Sequence, residues 1–312
     1  MIAAALRRPA AIAARYLLRW TGLRAGVVLV YHHVASAPDS APQGPVQVTA
    51  SDDFAAQMRH LRRGYRVVPA REILVATARR RRGARFPVAV TFDDDLPSHA
   101  EVAMPILLDL NLPATFFVGG RGLVRAPELW WETLERGLAA GLVDESQTWD
   151  IAERLLELEP EQREHWRRVL ADRLGEPGEP KCLTRSQLRA LAEAGFELGF
   201  HTLRHENLLQ LEDGQLSVAL TEGRDAVAEI GGRPITALSY PYGRADQRVA
   251  LAARRQGFEV GFTGREACVR EDADRMLIGR IEPAPRSTGE FARDLTRRLA
   301  RAWSRPRGGR SE

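Results

Sequence analysis

Acidic side chains and histidines are concentrated in two short segments, each directly after a run of apolar residues. The first is the triplet Asp93, Asp94 and Asp95, which follows PVAVTF. Three successive carboxylates repel one another unless solvent or a cation receives them, so this segment is either a solvated turn or part of a polar site. Neighbouring residues of a strand face opposite sides. Asp93 and Asp94 can therefore share a site only where the strand ends and the chain curls.

The second segment contains His201 and His205, after the run FELGF. Two histidines four residues apart lie on one face of a helical turn, where both imidazoles can reach one metal ion. This spacing is common by chance, but Asp94 completes a set of two histidines and one carboxylate. Such a set leaves coordination positions open, which is typical of catalytic rather than structural metal sites. Asp93 would then be the base for a water at this site.

The elements that position these residues alternate along the chain. Short apolar runs predict strands at 26–31, 65–68, 87–92, 114–118, 196–200, 235–240, 258–262 and 276–281. Amphipathic segments predict helices at 51–63, 69–79, 99–110, 184–194, 207–230, 245–256 and 288–303. This alternation predicts an α/β fold with a buried parallel sheet. We expect the sheet to close into a barrel, because no glycine fingerprint of dinucleotide binding follows any strand.

One stretch interrupts the alternation. Residues 119–182 separate two predicted strands and contain LWWETLERGL and a long charged segment, so we predict a helical insertion. Trp131 is a candidate substrate contact there, although adjacent tryptophans are more often packing residues. The predicted organisation is a basic amphipathic segment at 1–25, a barrel at 26–296 and a basic tail at 297–312.

Three motifs occur in a fixed order: TFDD at 91–94, HTLRH at 201–205 and YPYG at 240–243. On these motifs, the chain from about residue 27 to residue 283 resembles the polysaccharide deacetylases with the NodB-homology domain, also called carbohydrate esterase family four. The resemblance implies a distorted (β/α) barrel and hydrolysis of an N- or O-acetyl group from a sugar, and a cell-envelope polysaccharide is the expected kind of substrate. We therefore expect a metal-dependent hydrolase that deacetylates an N-acetylated sugar of a polysaccharide or glycolipid.

The resemblance also implies roles for individual residues. Asp93 would be the general base. A divalent metal ion, commonly zinc, would be bound by Asp94, His201 and His205. Tyr242 and Pro241 would form one wall of the groove, and a backbone N–H near Tyr242 would bind the oxyanion.

Three positions depart from the family pattern. Asp95 stands where the family usually has glycine, so it is either a partner of the site or a disturbance of it. The motif beginning at Ser239 lacks the arginine that steadies the base in many members. The terminal LxxH motif, whose histidine usually acts as the acid, reads LIGR at 277–280.

His32 is the candidate replacement for this acid. It follows the run GVVLVY, and we expect it to protonate the leaving amine while Arg280 supplies positive charge near Asp93. The alternative is that His32 is only a hydrogen-bonded residue at a strand end. We expect His33 to point to the other face, and we expect surface or packing positions for His60, His99 and His165.

Two other functions remain open at this point. An O-acetyl esterase would need a weaker leaving-group acid, because an alkoxide leaves more easily than an amide nitrogen. A catalytically retired barrel that binds glycan is a different class of protein. The intact set of Asp93, Asp94, His201 and His205 disfavours this class, because a binding module has no need of a base beside a metal ion.

The charge of the chain lies at its ends. The 312 residues include 45 basic and 41 acidic side chains, and the net charge is +4. Residues 1–31 carry five arginines and no acid, and residues 297–312 carry six arginines and Glu312, so the remaining 34 basic and 40 acidic side chains sum to −6. The net negative charge of residues 32–296 and the absence of a nucleic-acid-binding motif in the sequence disfavour nucleic acid as a partner. Cys182 and Cys268 have no spacing typical of a thiolate metal site or a disulfide scaffold.

The N-terminal segment is amphipathic. Arginines and Pro9 interrupt the apolar run that a signal peptide needs, so we expect no cleavable signal and a cytoplasmic protein. On a helical wheel Arg8, Arg15 and Arg19 lie on one side; the other side carries Ile2, Leu6, Ala13, Tyr16, Leu17 and Trp20. The C-terminal segment also mixes arginine with leucine and tryptophan. We expect both ends to contact the anionic face of the inner membrane, and packed or solvated ends are the alternative.

Overall fold

The computed structural model describes residues 7–35, 47–124, 128–175, 181–283 and 287–304. The strands are β1 (Ala25–Tyr31), β2 (His33–Ala35), β3 (Val48–Ala50), β4 (Arg66–Val67), β5 (Pro87–Phe92), β6 (Thr115–Val118), β7 (Glu197–Phe200), β8 (Ala237–Ser239), β9 (Val260–Thr263), β10 (Val269–Arg270) and β11 (Ile278–Gly279). The α-helices are α1 (Arg7–Arg19), α2 (Ser51–Gly64), α3 (Ile73–Ala78), α4 (Met104–Asp109), α5 (Trp130–Ala139), α6 (Thr148–Glu157), α7 (Pro160–Leu174), α8 (Arg185–Glu193), α9 (Asp213–Ala219), α10 (Arg224–Gly231), α11 (Gln247–Arg255) and α12 (Thr288–Ser304). A π-helical turn, His99–Ala103, precedes α4.

A ring of parallel strands surrounds the interior of the molecule. The order around the ring is β1, β5, β6, β7, β8, β9 and β11. The ring closes because Ile281, two residues after β11, pairs with Leu29 of β1. The Ile281 N–H donates to the Val28 carbonyl at 2.8 Å, and the Val30 N–H donates to the Ile281 carbonyl at 3.0 Å. The predicted α/β class and distorted (β/α) barrel are confirmed.

Successive side chains of each strand point in opposite directions. One set packs against the outer helices, and the other set points into the barrel interior. The rings of Phe117 on β6 and Phe262 on β9 lie 5.3 Å apart, although β7 and β8 separate these strands, so the two rings meet across the interior. Alternation places Ala89, Thr91 and Asp93 on one face of the chain. All three are buried, and Asp93 lies just beyond the carboxyl end of β5.

The predicted helix at 207–230 is wrong. A 3-10 turn precedes α9, which ends at Ala219, and α10 begins only at Arg224. Gly223 lies between them in the left-handed region, at φ 83°, and ends the helical path. The sequence also missed β2, β3 and β10, because two or three residues are too few to show an alternating pattern.

Three helices, α5, α6 and α7, lie between β6 and α8. They have an apolar cluster of their own, formed by Leu129, Trp130, Trp131, Leu134, Ala152 and Leu155. Tyr242, which follows β8, packs against this cluster. The three helices are thereby joined to the carboxyl edge of the barrel.

The two ends of the described chain meet, since α1 and α12 pack against each other. Residues 1–6 and 305–312 of the two basic end segments lie outside the described residues. Among the helices that are described, none has the length and apolar character needed to cross a membrane.

Candidate active site

The three aspartates after β5 point in three directions. Asp93 continues the strand into the interior, whereas Asp94 and Asp95 have positive φ values of 81° and 54°. Left-handed backbone turns the chain sharply, and short polar side chains tolerate it better than most. The curl that the sequence required for Asp93 and Asp94 to share a site is therefore present, and it also sends Asp95 elsewhere.

Asp93 is held by two side chains from distant parts of the sequence. The Arg280 guanidinium donates two hydrogen bonds to its carboxylate, at 2.9 and 2.7 Å. The Ser239 hydroxyl donates a third at 2.9 Å. Burial raises the pKa of Asp93, but the charges of Arg280 and His201 and the Arg280 hydrogen bonds outweigh it and lower the pKa to about 2. Asp93 is therefore ionised throughout the physiological pH range.

His201 and His205 lie in an irregular turn, so the predicted helical geometry of this motif is wrong. Thr202 and His205 have φ values of 59° and 49°, which no α-helix contains. The turn nevertheless brings both imidazoles to one carboxylate. The Nε2 atoms of His201 and His205 lie 3.2 and 3.3 Å from Oδ1 of Asp94.

These three side chains fit a divalent cation. Nδ1 of His201 donates to the Ser239 carbonyl at 2.8 Å, so the neutral form of this imidazole has its lone pair on Nε2, which faces Asp94. Oδ1 of Asp94 is buried and accepts no hydrogen bond. One donor atom from each of Asp94, His201 and His205 lies within 4.8 Å of the others. Two imidazole nitrogens and a carboxylate oxygen that converge in this way are a typical donor set of a metal site.

His32 lies on the opposite side of Asp94 and is held by a residue that the sequence analysis missed. Its Nδ1 lies 3.0 Å from the Glu282 carboxylate, and its Nε2 lies 4.0 Å from Oδ2 of Asp94. Burial lowers the pKa of His32, but Glu282 and the two aspartates outweigh it and raise the pKa to about 9. His33 is oriented away, with Nδ1 3.2 Å from the Ser98 hydroxyl.

Asp95 does not enter the site. Its buried carboxylate accepts the backbone N–H groups of Gly119, Gly120 and Arg121 at 3.0–3.3 Å. These three N–H groups favour the charged form, whereas burial raises the pKa of Asp95 to about 6. The residue that replaces the family's glycine therefore ties the turn after β5 to the loop after β6.

An aromatic wall stands beside the histidines. Tyr242, in the left-handed region at φ 58°, places its ring centroid 4.5 Å from that of His205, and Trp131 lies 4.7 Å away on another side. The Trp130 Nε1–H donates to the Tyr242 hydroxyl at 2.9 Å, and burial raises the pKa of Tyr242 to about 12. Pro241 is buried at the start of this turn.

The aromatic wall and the polar residues enclose one cavity of about 400 Å³. Its described lining includes every proposed site residue except Pro241, namely His32, Asp93, Asp94, Trp131, His201, His205, Tyr242 and Arg280. His60, His99 and His165 do not line it. His99 is fully buried, with its ring centroid 5.2 Å from that of Phe92, which agrees with a packing position.

Ser239 and Glu282 are the site residues that sequence reasoning missed. Ser239 contacts both halves of the site, since its hydroxyl donates to Asp93 and its carbonyl accepts from His201. The position of Ser239 directly before the YPYG motif was a usable signal. Glu282, two residues after Arg280, had no such signal, because a glutamate outside any motif is most often an exposed surface residue.

Several known proteins are similar to this chain in sequence or in structure. YxkH of Bacillus subtilis (strain 168), which carries a polysaccharide deacetylase name, is 19% identical over 263 residues, 84% of this chain and 72% of that protein. The Streptococcus pyogenes deacetylase PplD, solved in complex with acetate, is similar with a TM-score of 0.62 and 19% identity, over 88% of this chain and 98% of that chain. IcaB from Ammonifex degensii is similar with a TM-score of 0.58 and 21% identity, over 86% and 97% of the two chains. At these identities the two solved structures show a shared fold.

The sequence profile of one family, described as polysaccharide deacetylase, matches residues 80–172 and 168–261. These segments cover more than half of the chain and include the aspartates after β5, the two histidines and the YPYG turn. The chain therefore belongs to the polysaccharide deacetylase family, hydrolases that act on amide bonds of acetylated sugars.

Proposed function

We propose that this protein removes the acetyl group from an N-acetylated sugar of a polysaccharide or glycolipid. Asp93 is the general base, and Asp94, His201 and His205 bind a divalent cation, for which zinc suits the ligand set. The observation that carries the proposal is the position of Asp93, ionised and fixed by Arg280, at the edge of this donor set. A site that only binds glycan has no use for such a base.

A pKa of about 2 makes Asp93 a weak base, because the ion pair with Arg280 stabilises the carboxylate over its protonated form. When bound, a divalent cation supplies Lewis acidity, which polarises the acetyl carbonyl and acidifies water enough for a weak base to suffice. Arg280 and Ser239 hold both carboxylate oxygens of Asp93, so its orientation is set before the substrate arrives.

His32 protonates the leaving amine in this proposal. Its raised pKa keeps it charged at neutral pH, and the Glu282 carboxylate lies 3.0 Å from its Nδ1. The free Nε2 then faces the cavity on the side of Asp94 that the two histidine ligands leave open. Tyr242 and Trp131 provide the aromatic wall for the sugar, and a backbone N–H near Tyr242 is the proposed donor to the oxyanion.

Glu266 and Glu282 are the other charged side chains in the described lining of the cavity. Each lies 3.0 Å from a cationic partner, Glu266 from Arg298 and Glu282 from His32. Paired carboxylates add little net charge to the cavity, so both uncharged and acidic acetamido sugars belong among the substrates to test.

The test is acetate release from a panel of N-acetylated and O-acetylated oligosaccharides, with metal content measured on the same protein. We expect release from N-acetylated substrates, loss after chelation and recovery with zinc. The Asp93→Asn variant should retain the metal but lose about a hundredfold or more of the activity.

Release from O-acetyl esters alone would establish the esterase instead. If the protein binds no divalent cation and releases no acetate with added zinc or cobalt, it is a catalytically inactive barrel that binds glycan. Unchanged activity in Asp93→Asn would refute the role of that residue.

A further inference from the structure

The N-terminal helix presents its apolar face to solvent. Ala13, Tyr16, Leu17 and Trp20 follow an i, i+3, i+4, i+7 spacing, so they lie on one side of α1 and the residue after its end. Tyr16, Leu17 and Trp20 are 51%, 74% and 66% exposed. An amphipathic helix of a globular protein normally buries this face. In the described part of the chain these three side chains remain largely in contact with solvent.

The arginine side of α1 faces the body instead. Arg15 is buried, with its guanidinium 5.1 Å from the centre of the Tyr65 ring and 3.4 Å from Nε2 of His60. Gly64 makes room for it, since a Cβ there would collide with the Arg15 guanidinium. Arg19 donates to the Gly83 carbonyl at 2.6 Å. These contacts hold the arginine side of α1 against the body of the protein. They therefore leave the apolar side of the helix facing outward.

A group of arginines lies next to this exposed face. The loop after α3 and strand β4 contribute the exposed side chains of Arg66, Arg79, Arg81, Arg82 and Arg85. Four of them, all but Arg82, line a shallow cavity of about 410 Å³. Within the described ranges none of the five forms an ion pair with a carboxylate. Unpaired guanidinium groups at this density make a strongly positive surface.

The apolar face and the arginines form one continuous surface. The Trp20 ring lies against Gly83 in the middle of the arginine loop, and the Arg82 Nε–H donates to the Trp20 carbonyl at 2.9 Å. The Gly83 N–H donates to the Arg19 carbonyl at 2.8 Å. Arg80, which is buried, donates to four backbone carbonyls of the two segments and so fixes them together.

We propose that this surface, which we call the α1–arginine surface, binds the anionic surface of a lipid bilayer. It consists of Ala13, Tyr16, Leu17, Trp20, Arg66, Arg79, Arg81, Arg82 and Arg85. Anionic headgroups complement the arginines, and the exposed aromatic and aliphatic side chains enter the boundary between headgroups and acyl chains. A soluble polyanion would use the arginines but leave Leu17 and Trp20 in water, so a bilayer accounts for more of the surface.

The surface lies at the opposite end of the barrel from the active site. The arginine loop leads into the start of β5, and Asp93 follows the end of that strand. Six residues of strand span about 20 Å. The bound enzyme would therefore hold its cavity away from the lipid, toward a substrate that extends from the surface.

The test is co-sedimentation of the full chain with vesicles of phosphatidylcholine alone or of phosphatidylcholine with one third phosphatidylglycerol. We expect binding to the anionic vesicles only, weakening with salt. Arg79→Gln with Arg81→Gln should weaken it about 25-fold, at about fivefold per arginine, because neither guanidinium is needed for a described hydrogen bond. Leu17→Ser should weaken it about tenfold. Both variants should keep full deacetylase activity on a soluble oligosaccharide.

Two variants control for general loss of charge or apolar area. Arg185→Gln with Arg189→Gln removes two exposed arginines from α8, and Leu251→Ser removes a 47% exposed leucine from α11. Both should bind vesicles as the unmodified protein does. Equal binding to the two kinds of vesicle, or no binding, would overturn the proposal. So would a Leu17→Ser variant that binds normally while the arginine variant fails, because that result indicates a polyanion site.

Discussion

Asp93 shows how the site works at the scale of single residues. A buried carboxylate is costly unless it is paired, and Arg280 and Ser239 satisfy it with three hydrogen bonds. From the sequence, Arg280 was expected to supply positive charge near Asp93, and the motif beginning at Ser239 lacks the arginine that steadies the base in many family members. In the structure the Arg280 guanidinium donates to the Asp93 carboxylate, although the two residues are 187 positions apart in the sequence. The role of Arg280 as the residue that steadies the base stays a prediction.

The ion pair between Arg280 and Asp93 should show strong coupling in stability. Arg280→Met leaves a buried carboxylate without its partner, so we expect a loss of about 3–5 kcal/mol in the free energy of unfolding. In the Asp93→Asn background the same change should cost much less. Urea denaturation of the two single variants and the double variant measures this difference. Costs that simply add would show that the pair is not coupled.

His32 should matter more for amide than for ester substrates. An amine is a poor leaving group until it is protonated, so His32→Ala should lower N-deacetylation about a hundredfold or more while O-deacetylation falls less. Acetate release from matched N- and O-acetylated sugars, with metal content checked, gives the ratio. His33→Ala is the control, because His33 contacts Ser98 and not the cavity. Unchanged amide turnover with metal bound would leave His32 as a strand-end residue only.

At the scale of elements, the site is built from turns rather than from the strands and helices themselves. Asp94, Asp95, Thr202, His205 and Tyr242 all have positive φ values. Hydrophobic periodicity predicts elements but not such turns, which is why the histidine motif was expected on a helical turn. The spacing of the two histidines was informative, but the geometry that uses it is irregular.

His99 is buried in the π-helical turn His99–Ala103, and its titration should make the free energy of unfolding depend on pH. The ordinary pKa of histidine is 6.5, and burial, partly offset by the hydrogen bond to the His32 carbonyl, lowers the pKa of His99 to about 4. Between these values the unfolded chain binds more protons, so stability falls as the pH falls from about 7 toward 4. The His99 contribution at pH 5 is a loss of about 2 kcal/mol relative to pH 7.5.

Urea denaturation at the two pH values tests this dependence. Carboxylates also titrate in this range, so the informative quantity is the difference between the unmodified protein and His99→Gln. The glutamine amide can still donate to the His32 carbonyl, but it does not titrate. If both proteins lose the same stability between pH 7.5 and pH 5, His99 does not carry the effect.

At the scale of the whole molecule, the helices α5 to α7 complete a wall that the barrel lacks. The Trp130 indole donates to the Tyr242 hydroxyl, and Tyr242 in turn contacts His205. The three helices thus contact the proposed metal ligand His205 both through Tyr242 and directly through Trp131. Their contribution should be to substrate binding, because none of their side chains approaches Asp93 within hydrogen-bonding distance among the described contacts.

Trp130→Phe removes one hydrogen-bond donor while keeping an aromatic ring. The Tyr242 hydroxyl then loses its donor, at a cost of about 1–2 kcal/mol, so we expect KM for oligosaccharides to rise about fivefold to thirtyfold with a smaller change in kcat. Steady-state acetate release separates the two constants. Trp149→Phe, at a 61% exposed position of α6, should change neither. A fall in kcat alone would instead indicate that Trp130 positions the histidines.

The sequence by itself determined the chemistry that this protein can perform. The βα alternation, the aspartates at the end of one strand and the histidines at the end of another identify a family and a donor set, because parallel strands must bring their carboxyl ends to one edge. These are local patterns, and a local pattern can be read without the fold.

Only the tertiary structure decided which side chains meet around the proposed site and which faces of the molecule are exposed. The contacts of Arg280 and Ser239 with Asp93, of Glu282 with His32 and of Asp95 with the loop after β6 join segments far apart in sequence. The outward apolar face of α1 is another such result, since a helical wheel shows two faces but not which one is buried. Burial and long-range pairing depend on the whole chain, and for that physical reason no short segment contains them.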